Sequence, residues 1–215
     1  MDLDQRNDRN NYSNQSVDKK SFIRKYWPGI LVAVVLLWGI FTYNRLISLG
    51  EGTSNGWGGV QTAYQARADK VKNLISIVKG AADYEKETLF KVVEQRANAA
   101  KATVNIDAEN LTPEKLAEIE KVQSKFTGDI SRLLVTVENY PELKAVQSFQ
   151  DFQNEYSGIE NRIKKARDDF NEAVKNYNVK VKKFPSNLIA KLFSFEEKFY
   201  FEAQAGTENA PDIKF

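Results

Sequence analysis

Acidic side chains are this chain's main stock of reactive groups. Glu85 and Glu87, Glu94, Glu118 and Glu120, Glu155 and Glu160, and Asp168 and Asp169 stand in close groups. Paired carboxylates can act as general acid and base in glycoside hydrolysis, or as oxygen ligands to a hard cation. The rest of the reactive inventory is missing, with His 0 and Cys 0. That excludes Ser-His-Asp and Cys-His nucleophiles, His-ligated metals, thiolate clusters and disulfides. It also excludes the di-metal bundle site built from Glu-x-x-His pairs. Most of the carboxylates alternate with bases at helical spacing, as do Glu114 and Glu118 with Lys115 and Lys121, and Glu160 with Lys164. They read as solvated helix faces. No catalytic residue, cofactor, metal site or small-molecule substrate is expected.

The elements that would carry these faces follow from the apolar pattern. The mean hydropathy of −0.51 is that of a soluble protein, yet it conceals one very apolar run. Residues Tyr26 to Asn44 carry no charge and are bounded by Lys25 and Arg45. Nineteen helical residues span about 28 Å, near the hydrocarbon thickness of a bilayer. Tyr26, Trp27 and Tyr43 supply interfacial aromatics, and Pro28 is placed in the first helical turn. A transmembrane helix over 26–47 is therefore expected, with the bilayer as one partner. Lys19, Lys20, Arg24 and Lys25 precede the run, and Arg45 alone follows it closely. The positive-inside rule puts the N-terminus in the cytoplasm and the rest outside. Residues 1–25 hold six basic and four acidic side chains, the whole of the formal +2. The remainder is balanced, which argues against nucleic-acid binding. Polar and almost without apolar groups, this first stretch reads as a disordered tail.

Beyond the run the apolar period is 3 and 4, the mark of helices in a bundle. Trp57, Val60, Tyr64, Arg67, Val71, Leu74 and Val78 form one stripe, and Leu89, Val92 or Val93, Arg96 and Ala100 a second, with a reversal expected from Gly80. A third helix starts at Thr112-Pro113-Glu114, with stripe residues Leu116, Ile119, Val122, Phe126, Ile130, Leu133, Val137 and Tyr140; Pro141 ends it. From about Glu142 to Lys183, a long seam runs through Phe149, Phe152, Tyr156, Ile159, Ile163, Ala166, Phe170, Val174, Tyr177, Val181 and Phe184. Its mean step is close to the 3.5 of a left-handed coiled coil. No alternating strand pattern occurs. The fold class is thus all-α: an N-terminal transmembrane helix, then an antiparallel four-helix bundle-like domain over 48–203 and a loose tail over 204–215. The glycines at 50, 52, 56, 58 and 59 leave two readings open, a flexible stalk or a poor but continuous extension of the membrane helix.

Several residues beside the seams are candidates for partner docking: Arg67, Asp69, Asn73, Arg167, Asn171 and Asn178, together with Phe199 and Phe201 of the cluster Phe193, Phe195, Phe199, Tyr200, Phe201. For the asparagines and Arg167 the other reading is register-setting or capping hydrogen bonds. For the aromatics it is a plug folded back on the bundle end.

These residues also carry a family resemblance. Tyr43-Asn44, Trp57 fourteen positions on, the run from Tyr64 to Gly80, Glu85 to Leu89, Glu138 to Ala145, Ile159 to Asn178, Phe184 to Ala190 and Phe199 to Glu202 occur in order. They resemble the motifs of the LemA family of bacterial membrane-anchored helical proteins. Ala66, Lys70 and Lys72 depart from it, standing where Arg, Leu and Pro are usual. The spacing from Tyr43 to Trp57 favours a continuous helix through the glycines. The resemblance implies one N-terminal membrane helix, a helical bundle, a place in the cell envelope and no established reaction. The expected function is a scaffold or interaction module of the bacterial inner membrane, acting on a membrane or envelope protein or by self-association. A carboxylate-based metal-dependent enzyme and a lipid-binding bundle are the alternatives.

Overall fold

The computed structural model describes residues 19–78, 84–138, 145 and 147–202. Its elements are α1 (Lys19–Val78), α2 (Tyr84–Thr103), a short 3-10 turn (Ala108–Asn110), α3 (Pro113–Glu138), α4 (Gln147–Lys182) and α5 (Ser186–Leu192). The reversal expected from Gly80, the break at Pro141 and the tail over 204–215 lie outside the described residues, as do residues 1–18. The stretch from Gly50 to Gly59 is helical throughout, so the continuous-helix reading holds. Pro28 lies well inside α1 because the helix begins at Lys19, nine residues before it.

The chain divides into two compact units, Met1–Asn44 and Arg45–Phe215. In the first, the side chains of α1 are apolar and turned outward: Leu36, Leu37 and Phe41 are 62%, 66% and 71% exposed. Helix α1 is the one helix among the described residues that is long and apolar enough to cross a membrane.

In the second unit, α1 beyond Arg45 and helices α2, α3 and α4 form an up-and-down bundle. Register is read from residues that touch. Along α1, a Cβ at Gly50 or Gly56 would meet Tyr177 or Phe170, and Arg67 and Lys70 pair with Glu160 and Glu155. As α1 advances, α4 recedes. The same opposition holds for α1 and α2, through Gln61 with Val104 and Asp69 with Lys101. It holds for α2 and α3, through Arg96 with Asp129 and Ala100 with Gln123.

The core is built on a strict alternation of three and four. In α1 it takes Leu46, Thr53, Trp57, Val60, Tyr64, Arg67, Val71 and Leu74. In α3 it takes Leu116, Ile119, Gln123, Phe126, Ile130, Leu133 and Val137, so the buried position is Gln123 and not Val122. In α2 the buried residues are Phe90, Val93, Ala97 and Ala100. The expected stripe holds at Val93 and Ala100 but is off by one at Leu89 and Arg96, where Phe90 and Ala97 are buried instead and Arg96 lies at the surface on Asp129. In α4 the seam holds from Phe149 to Val181, but Phe184 is 73% exposed. The helix has ended at Lys182, so the next helical step does not exist.

Candidate functional site

Arg67 enters the bundle because its position in α1 belongs to the buried stripe. At 1% exposed, its guanidinium depends on partners inside the bundle, which reach Nη1 and Nη2 but leave Nε without a hydrogen bond among the described residues. Nη1 donates to Glu160 Oε1 and to Thr127 Oγ1, both at 2.8 Å. Nη2 donates to Gln123 Oε1 at 2.5 Å. Gln123 is held from its other end, its Nε2 donating to the Ala100 carbonyl at 2.8 Å. The guanidinium also lies 5.4 Å from the Tyr64 ring centroid and 5.1 Å from that of Phe126. One side chain of α1 is thus tied to α3 and α4, and through Gln123 to α2. Burial, followed by the opposing effects of nearby charges, pushes the Tyr64 hydroxyl above its ordinary pKa.

A second arrangement begins where α5 stops. Ser194 adopts φ 57°. Phe195 N donates to the Ala190 carbonyl and Ser194 N to that of Lys191. This Schellman-type ending turns the chain back on itself. Residues 195–202 then run as an extended strap, held to α4 by two asparagines. Asn178 Nδ2 donates to the Lys198 carbonyl at 2.7 Å while its Oδ1 accepts from Lys198 N at 2.9 Å. Asn171 does the same with Phe201, at 3.0 and 2.9 Å. Each amide stands in for the edge of a β-strand. The spacing is dictated by geometry: seven helical residues rise about 10.5 Å, and three extended residues cover about 10 Å. Lys198 Nζ reaches α1, donating to Thr53 Oγ1 at 2.7 Å. Phe201 closes the core between Trp57 and Phe170, at ring centroid distances of 6.1 and 5.9 Å. Arg167 lies over Phe201 at 4.4 Å and pairs with Glu120 of α3.

The docking candidates therefore fall into three groups. Arg167, Asn171, Asn178 and Phe201 are brought together to hold the strap. Arg67 is enclosed in the bundle. Asp69 and Asn73 are exposed on α1, with Asp69 paired to Lys101 at 3.0 Å. Phe199 and Tyr200 point away from the core at 45% and 51% exposed. They line a groove of about 800 Å³ with Leu116, Val179, Glu120 and Lys175. The aromatic cluster thus divides, Phe201 plugging the core and Phe199 and Tyr200 facing the groove. Sequence reasoning passed over Gln123, Thr127, Glu160 and Lys198 as parts of these networks. The strict alternation of steps in α3 is the signal that marks Gln123; nothing in the sequence marks Lys198.

The pairing of charges bears on chemistry. Glu120, Asp129, Glu155, Glu160, Asp169 and Glu197 each face an Arg or Lys, and among the described residues no three acidic side chains converge to hold a metal ion. The arrangement ties helices together.

A family model described as "LemA family" matches residues 56–215. Magnetosome proteins MamQ 1 and MamQ 2 of Paramagnetospirillum magneticum are each 22% identical over 178 residues, covering 76% of this chain and 65% of theirs. The chain thus spans just under two thirds of those relatives' length. Protein LemA of Metamycoplasma hominis is 24% identical over 176 residues, covering 79% of this chain and 75% of that protein.

Proposed function

Starting from a chain that belongs to the LemA family, we propose that it is a single-pass protein of the bacterial inner membrane that acts by contact, its bundle docking a membrane or envelope protein. Residues 1–25 lie in the cytoplasm, the helix having already begun at Lys19 within the stretch expected to be a disordered tail, 26–47 cross the bilayer, 48–203 form the bundle outside, and 204–215 follow it. The outward apolar side chains of α1 support the crossing, and the four bases just before the run support its direction. The names of the relatives, magnetosome proteins MamQ and Protein LemA, carry no reaction, which fits a contact function.

One observation carries the docking reading. Around the strap every polar candidate is spent on internal bonds, while two large aromatics, Phe199 and Tyr200, stay half exposed beside an apolar groove. Tyrosine and phenylalanine rimming a groove are what protein interfaces select. A photoreactive phenylalanine analogue placed at Phe199 in intact cells is expected to crosslink a different polypeptide. The same analogue at Asp69 is expected to yield less. Equal labelling at both sites, or adducts of this chain with itself alone, would defeat the reading. An alkaline phosphatase fused after residue 215 tests direction separately: it is expected to be active, and inactivity reverses the topology.

A further inference from the structure

Helix α5 is apolar on two sides. Its inner side packs on the second, smaller core: Ala190 is buried with Leu46, Tyr177 and Val181, and Ile189 and Leu49 pack partly against them. Its outer side should be polar if it faces water. Instead Leu188 and Leu192, four residues apart, are 56% and 72% exposed, and Phe184, in the turn just before the helix, is 73% exposed. Lys183 and Lys191 flank this stripe. An exposed apolar stripe of this kind marks a surface that is covered in function.

Chain connectivity identifies the cover. Leu46, which the inner side of α5 packs against, follows the uncharged run by only two residues. Even a fully extended chain covers about 7 Å in two residues. Wherever the run enters a bilayer, α5 is held at that bilayer's surface. Ile47, next in the chain after Leu46, is itself 42% exposed. Leucine and phenylalanine on one side, with lysines whose stems can lie along apolar groups while the ammonium reaches headgroups, are what an interfacial helix needs. The geometry points to a second membrane contact: the α4–α5 corner is seated, through Phe184, Leu188 and Leu192, at the headgroup–acyl boundary of the leaflet from which the bundle emerges. This rests on the reading that 26–47 cross the bilayer.

The chain has no cysteine, so single labels are available without other changes. Leu188→Cys, Leu192→Cys, Val35→Cys and Asn73→Cys are made in the full chain, labelled with an environment-sensitive fluorophore and reconstituted in phosphatidylcholine–phosphatidylglycerol vesicles. In vesicles carrying brominated acyl chains, the labels at 188 and 192 are expected to lose emission as the Val35 label does, while the exposed Asn73 label keeps it. Labels at 188 and 192 that behave like the one at 73 overturn the proposal. So does an apolar shift in the emission of these labels that appears only as the protein-to-lipid ratio rises and is not quenched by brominated lipid, which would make a second copy of the chain the cover. A Val35 label untouched by brominated lipid overturns the spanning reading, and this proposal with it.

Discussion

Arg67 shows how much one buried cation fixes. Its partner Glu160 keeps access to water at 32% exposed, whereas the guanidinium side chain has 2%. Removing the cation leaves a half-buried carboxylate and the Gln123 amide without their donor. Arg67→Ala is expected to cost about 3 kcal/mol, the lower end for a broken buried pair, in urea denaturation of the whole protein. Arg67→Lys recovers little of it, because one ammonium cannot reach Thr127, Gln123 and Glu160 in the fork geometry. The asparagines of the strap make a sharper test. In Asn171→Asp the donor to the Phe201 carbonyl becomes a second acceptor, so a bond turns into a repulsion while the size is unchanged. The expected loss is about 2 kcal/mol, confined to the strap. Amide hydrogen exchange checks it, with Phe201 N losing protection and the interior of α4 keeping its own.

At the scale of the helices, α1 raises the question of its glycines. Each costs about 1 kcal/mol against alanine in a helix interior. Only Gly56 answers for itself: a Cβ there would stand 3.1 Å from the Phe170 Cα, so the close approach of α1 and α4 depends on its absence. At Gly58 a Cβ meets nothing within 4 Å. Gly58→Ala is therefore expected to raise stability by about 1 kcal/mol, while Gly56→Ala gains the same propensity and loses about 1–3 kcal/mol to overpacking. Thermal midpoints of the two variants should move in opposite directions or, at Gly56, hardly at all. These helices were legible in the sequence where the period was strict, as at Phe149 to Val181 and Trp57 to Leu74. They were misplaced by one where an apolar neighbour competed, as Leu89 did with Phe90 and Val122 with Gln123. A stripe read as apolar overlooks a buried glutamine, and an extended strap has no period to read. Asn171 and Asn178 stood out beside the seam, but their partners lie 30 and 20 residues away in sequence, in a segment whose place only tertiary packing decides.

For the whole molecule, pH offers a readout of burial. Tyr64, Tyr156 and Tyr177 all have hydroxyls pushed above their ordinary value, first by burial. The unfolded chain then loses these protons first, so the folded state binds more of them and stability falls as pH rises above about 10. Lys198 acts in the opposite sense. Burial lowers its pKa, so stability rises between that lowered value and the ordinary lysine range. Three tyrosines outweigh one lysine, and the thermal midpoint is expected to fall steeply above pH about 10. Tyr156→Phe should soften that fall, since it removes one of the three raised hydroxyls.

The strap also sets an order of events during synthesis. Thr53, Trp57, Glu120, Arg167, Phe170, Asn171 and Asn178, the groups that receive it, all precede it in the chain. A chain whose four helices form before the strap docks has the slot for Phe201 open, with the edges of Trp57 and Phe170 bare. Exposed aromatics at that stage are what chaperones bind and what makes nascent chains stick to one another. Strap variants such as Asn171→Asp prolong that stage, so in a cell they should lower yield as well as loosen the strap of the finished fold.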